Sequence, residues 1–232
     1  MSFCRQILVG AIGLIGASSL LAQPSAELIE ALRDFRTEGP KGWSFTQTSH
    51  SPERSRVETF DPLKAAHLRW DLITEDGAPP PARVLEAYRQ QQTRRTGGHN
   101  APNVKDQLDM ASAELLADDG ERQRWRFLLT PGAADDSSAE HMESTITFHL
   151  ATGTIIEIAL ASFEAFSPVF GVTVESARTT IQYSLPTATN PTLLQHIEVS
   201  IRGRAFYFKS LDSDMTVSYS DYEYAGKKPI FP

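Results

Sequence analysis

The chain has a single cysteine, Cys4, among its 232 residues. One thiol excludes an internal disulfide and a cysteine-based metal site, so the fold has to be held by an apolar core. Basic residues are also in the minority: 22 Lys and Arg stand against 29 Asp and Glu, and a net charge of −7 argues against a nucleic-acid surface. The sequence contains no Gly-x-Ser-x-Gly elbow, no Ser-x-x-Lys pair and no His-Glu-x-x-His helix. Gly97-Gly98 lacks the following Lys and Ser/Thr of a phosphate loop. These absences imply no cofactor and no metal, and they leave a binding role ahead of a catalytic one.

Long apolar runs are scarce as well. The longest, Ile7 to Ala22, follows Arg5 at the start of the chain. It is shorter than the roughly 20 residues a spanning helix needs, and Gly10, Gly13 and Gly16 interrupt it, so it reads as a secretory signal rather than a permanent anchor. Residues 1–22 are expected to be removed after Ala22, with an uncleaved tether as the alternative. Export would carry residues 23–232 to the periplasm, without Cys4. No later run is long enough for a stable membrane span. The remaining length fits one large domain, big enough to bury its own core.

What is present is mostly strand pattern. Leu28, Ile29, Leu32 and Phe35 form one helical stripe, with Ser25 placed to cap the start and Gly39-Pro40 to stop it. The period then changes to two in GWSFTQT, RSRVETF and HLRWDLI, where Leu68, Trp70 and Leu72 share a face. Three prolines lead into ARVLEAYRQQQTRR, a second helix that ends in Arg94-Arg95 before Gly97-Gly98-His99-Asn100. Val104 to Leu116 fits either a third short helix or a strand. Beyond it the chain reads as strands and turns. Asp118-Asp119-Gly120 is a hairpin turn, and STITFHL and TIIEIAL form a second hairpin around Ala151-Thr152-Gly153, opposing Ile146, Phe148 and Leu150 to Ile156, Ile158 and Leu160. Near the end, parity slips between Tyr219 and Tyr222, which predicts a bulge. The pattern predicts an α+β fold: a wide curved antiparallel sheet of roughly eight to eleven strands, an open half-barrel with two or three helices on its concave face.

Polar constellations are weak. Of six histidines, His141 and His149 lie too far apart along one stretch to chelate together and are expected to face solvent. Asp135, Asp136, Glu140 and Glu143 lack the ligand pattern of a calcium loop and read as a solvated run. Arg122, Arg124 and Arg126 share a strand face and are expected to pair with acids on a neighbouring strand.

Aromatic residues carry the stronger signal. Trp70, Trp125, Phe127, Phe148, Phe206 and Phe208 fall on alternating strand positions and are candidates to line a core or a cavity. Phe163, Phe166 and Phe170 lie in ASFEAFSPVFGVTV, a connection that would ordinarily be polar. These three rings are expected either to pack down onto the core or, with Pro168 and Gly171 for bending, to close an apolar cavity as a movable plug.

The succession HMESTITFHLATGTIIEIALASFEAFSPVFGVTV, a further strand, then IRGRAFYFKSLDSDMTVSYSDYEY resembles the later strands of the LolA, LolB and RseB-like periplasmic lipoprotein carriers and sensors of Gram-negative bacteria. The likeness is one of architecture and rhythm over Trp43 to Tyr224. It implies that residues 23–232 form a single LolA-like domain whose apolar cavity holds the acyl chains of a lipid or lipoprotein. The chain departs from the membrane-anchored members in having no cysteine at the expected cleavage site. An envelope protein partner, docked on a sheet edge or on the phenylalanine segment, is the alternative to an acyl-bearing ligand. An enzyme assembled from distant strands is a third reading.

Overall fold

A computed structural model describes residues 23–35, 37, 41–95, 103–131, 137–206 and 209–226. The expected signal with Cys4, the Gly39-Pro40 stop, the Gly97 to Asn100 break, Asp135-Asp136 and Phe208 lie outside the described residues.

The first helix, α1 (Ala26–Asp34), starts where Ser25 accepts the backbone N–H of Leu28 at 3.2 Å, satisfying a donor that the first turn leaves unpaired. Leu28 and Leu32, one helical turn apart, are fully buried. Three strands follow, β1 (Trp43–Ser51), β2 (Arg54–Phe60) and β3 (Trp70–Glu75), and then α2 (Ala82–Arg95). Leu68 does not join β3; it ends a short 3₁₀ turn and is exposed. Val104–Gln107 is a 3₁₀ turn leading directly into β4 (Leu108–Asp118), so this ambiguous segment is a strand and the described residues contain two α-helices. The remaining strands are β5 (Arg122–Leu129), β6 (Met142–His149), β7 (Thr154–Ser162), β8 (Val172–Tyr183), β9 (Leu194–Ala205), the two-residue β10 (Lys209–Ser210) and β11 (Ser213–Tyr224).

All eleven strands belong to one antiparallel sheet in the order β3-β2-β1-β11-β9-β8-β7-β6-β5-β4, with β10 beside β9. It is open, with β3 and β4 as its edges. The β4–β5 pairing is interrupted twice, which blunts that edge against further pairing. At the slip in parity, Ser44 pairs Glu223 while Thr46 pairs Ser220, and Asp221 takes up the extra length at φ 54°.

The two faces differ in chemistry. One row crosses the sheet as Leu115, Trp125, Ile146, Ile158, Ile181, Ile197 and Val217 before turning polar at Ser49, Arg56 and Glu75. The adjacent row on the opposite face runs Glu114, Arg126, Thr145, Ala159, Thr180, Glu198, Thr216 and His50. One apolar face therefore spans most of the sheet, and both helices bear on it: α1 through Leu28 and Leu32, α2 through Tyr88.

Candidate ligand-binding face

The apolar face has a closed half and a looser half. Under α1, the side chains of Trp125, Phe127, Ile146, Phe148, Ile155 and Ile158 pack with Leu28 and Leu32, and the three aromatic rings are at most 2 % exposed. Trp125, Phe127 and Phe148 are thus core residues. A bulge between Thr147 and Phe148 makes Ile155, rather than Ile156, the partner of Phe148, and Leu150 is exposed in the turn. The expected opposition of Phe148 and Leu150 to Ile156 is corrected accordingly. The inserted residue moves Ile156 onto the polar face.

At the opposite edge the same face is aromatic. Phe45 has ring neighbours Phe60 (5.0 Å), Tyr222 (5.5 Å), Trp70 (5.6 Å) and Tyr219 (5.6 Å), drawn from three other strands. Register places them together: Phe45, Phe60 and Trp70 form one row across β1, β2 and β3. All five rings are only half-buried, so Trp70, packed against Phe45 and Phe60, belongs to a partly exposed aromatic cluster rather than to the sealed core. In the next row Glu58 is buried beneath α2, where the Tyr88 hydroxyl donates to Oε1 at 2.6 Å and the Gln47 amide donates to Oε2 at 3.3 Å. Burial, then the Glu58 hydrogen bond and charge, pushes the Tyr88 phenol well above its ordinary range. Glu75 takes the cations of this corner, at 2.8 Å from Arg56 and 3.4 Å from Arg54.

Between the two ends lie Ile181, Ile197, Val199 and Ile201, all half-buried, with Met215 exposed. Tyr183 marks the border with the closed half: it is buried, paired with Leu194, and packed edge-on by Phe35 at 5.0 Å. Burial raises the phenol pKa of Tyr183, Tyr219 and Tyr222. Except for Trp70, none of these middle and edge residues is among the ligand-binding candidates read from the sequence. The alternation in WSF and VETF marked their faces, but not which neighbours would leave them partly uncovered.

The phenylalanine-rich segment does not plug this face. Phe166 packs down, bridging its backbone to Val174 at 2.8 and 2.9 Å and stacking its ring on His141 at 5.2 Å. Phe163 is 50 % exposed and Phe170 98 % exposed. For Phe170 the reason is local: the Phe166–Val174 bridge closes residues 167–173 into a tight loop, and Phe170 stands at its tip away from the core. Phe206 is likewise 59 % exposed, outside any strand at φ 50°, with its ring against Gly171. Its strand-based assignment to the apolar face is corrected; together with Val169 and Phe170 it forms an apolar patch on the loop.

The polar candidates divide: Arg126 follows the expected pairing, and His149 departs from the expected exposure. His149 is buried rather than solvent-facing, bonded through Nδ1 to Thr152 Oγ1 at 2.8 Å, because the following turn folds over it. His141 contacts Glu164 at 2.8 Å. Arg126 pairs with Glu114 and, at 3.7 Å, with Glu143 on the flanking strands, whereas Arg122 pairs with its neighbour Glu121. Among the described residues no group of three or more His, Asp or Glu side chains is placed to hold a metal ion, and no helix is long and apolar enough to cross a membrane.

No family model matches the sequence, and neither does any curated protein. Among solved structures the chain is compared with GphF Dehydratase 1 at 10% identity, covering 86% of this chain and 82% of that one with a TM-score of 0.18. A variant of that dehydratase made for improved crystallization gives 10% identity, coverage of 83% and 81%, and a TM-score of 0.15. Superpositions this poor carry no argument about fold or activity.

Proposed function

We propose that the chain is a non-catalytic periplasmic binding protein that holds an acyl-bearing ligand, a lipid or a lipoprotein, against the apolar face of a LolA-like half-barrel. The observation that carries this reading is a mismatch of widths. By ideal dimensions ten strands spaced about 4.8 Å apart span about 43 Å, about twice the combined width of two helices each about 10 to 12 Å across. The uncovered part is lined by half-buried Ile197, Val199, Ile201, Phe45 and Tyr219. Apolar surface of this extent calls for a partner, and a hydrocarbon chain suits a trough with few polar groups.

Native mass spectrometry of the full chain purified without detergent tests the proposal. A mass increment matching a bound lipid is expected. Protein that carries no lipid, and that shows no change in tryptophan fluorescence when titrated with a long-chain acyl ester, rules the reading out.

A second reading, an interaction or sensor module of the envelope, is favoured by one specific observation: the exposed patch of Val169, Phe170 and Phe206. It predicts a defined polypeptide that copurifies with the chain and is lost when Phe170 and Val169 are both changed to Ser, with lipid content unaffected.

A further inference from the structure

Two side-chain hydroxyls, Ser144 Oγ and Tyr183 OH, are buried with no hydrogen-bond partner among the described residues. A buried donor left unpaired is as costly as a broken hydrogen bond, and native proteins carry few. The two differ in kind. Ser144 sits deep in the closed half between Phe127 and Leu160, and rotation about one bond sweeps its short side chain past nearby backbone. The Tyr183 hydroxyl stands at the far end of a rigid ring, where rotation about the C–O bond moves only its hydrogen.

The surroundings of Tyr183 narrow what that hydroxyl meets. It ends β8 at the border between the closed core and the half-open strip of β9 and β11. Phe35 covers one side edge-on. The carbonyl of Leu194, its cross-strand partner, accepts the Tyr222 hydroxyl at 2.7 Å. Tyr219 and Tyr222 lie near enough for a charge on one phenol to be felt by the others. The site is thus an apolar, phenol-lined spot with one spare donor, and none of the ion pairs among the described residues involves its phenols.

Resting on the acyl-carrier reading above, we infer that the Tyr183 hydroxyl anchors the ligand's carbonyl, donating to the ester or amide oxygen while the hydrocarbon tail lies along Ile197, Val199 and Ile201. The chemistry selects a neutral acceptor. An ionised carboxylate or a phosphate would lose its hydration there without gaining a cation, whereas a carbonyl oxygen needs one donor.

The test compares a dodecanoyl methyl ester, the chain-matched methyl ether and ionised dodecanoate, each titrated against the full chain by tryptophan fluorescence. The ester is expected to bind about fivefold to tenfold more tightly than the ether, the gain of one net hydrogen bond, and more tightly than the carboxylate. In Tyr183→Phe the ester's advantage over the ether should fall to about one while the ether binds as before. Equal binding of ester and ether by the wild type, tighter binding of the carboxylate, or a preference that survives in Y183F each overturns the anchor while leaving the acyl-carrier reading standing. Failure of all three probes to bind removes that reading together with the anchor. Should Y183F prove unstable, the infrared carbonyl stretch of the wild-type-bound ester decides: a hydrogen-bonded frequency supports the anchor, and the frequency found in hydrocarbon overturns it.

Discussion

Glu58 is the only buried carboxylate among the described residues, and its two donors are neutral. Removing the stronger one leaves a buried acceptor poorly satisfied. Tyr88→Phe is therefore expected to lower stability by about 1.5–3 kcal/mol in urea denaturation, the range for hydrogen bonds to charged groups. Combining it with Glu58→Leu should cost less than the sum of the two single changes, because the orphaned charge is gone. The tyrosines make a second, pH-dependent prediction. Tyr88, Tyr183, Tyr219 and Tyr222 all have folded-state pKa values above the ordinary phenol value, mainly through burial. Below about pH 10 both folded and unfolded chains keep these protons and the groups add no pH dependence. Above it the unfolded chain releases protons that the folded chain retains, so stability should fall as pH rises from about 10. Thermal melts between pH 8 and 11 followed by circular dichroism would show it; a flat profile would mean that these phenols are not buried.

Strands and their connections follow the same logic with larger parts. The loop after β7 divides into a buried foot and an exposed tip. Phe166→Ala should cost about 3 kcal/mol, as truncation of a buried ring does, whereas Phe170→Ser should leave the melting midpoint unchanged. The reverse pattern would place the tip in the core after all. Between β8 and β9 the constraint is steric: a Cβ added at Gly203 would lie 2.5 Å from the Thr173 carbonyl oxygen. Gly203→Ala should destabilise by about 1–3 kcal/mol in the same assay, with the two strands forced apart. Much of this level could be read from residue order. The α2 boundaries, the Ser25 cap, the Asp118-Asp119-Gly120 turn and the slip before Tyr222 all follow from local chemistry that tertiary contacts did not override. Where reading failed, at Leu68, Ile156 and Phe206, the cause was a turn or bulge that broke an alternation otherwise intact.

Across the molecule, coverage of the apolar face is uneven, and opening should follow it. Amide exchange is expected to be slowest in β5, β6 and β7 beneath α1, and faster by orders of magnitude in edge strands β3 and β4. Uniform protection across the sheet would contradict a half-open face. The acyl-bearing ligand proposed here would bind where protection is intermediate, along β9, β11 and β1, and should slow exchange there preferentially.

Residue order alone determined the two helices, the antiparallel strand succession and the single apolar face, because each depends on a period of 3.6 or 2 and on turn chemistry within a few residues. Only the tertiary structure decided which apolar residues stay partly uncovered. That outcome depends on where two short helices land on a ten-strand path, and on a bridge between Phe166 and Val174 that turns an oily loop outward. Burial is a property of neighbours brought from distant parts of the chain. Trp125 and Trp70 therefore look alike in sequence, yet one is sealed in the core and the other is half-buried in an aromatic cluster near the sheet edge.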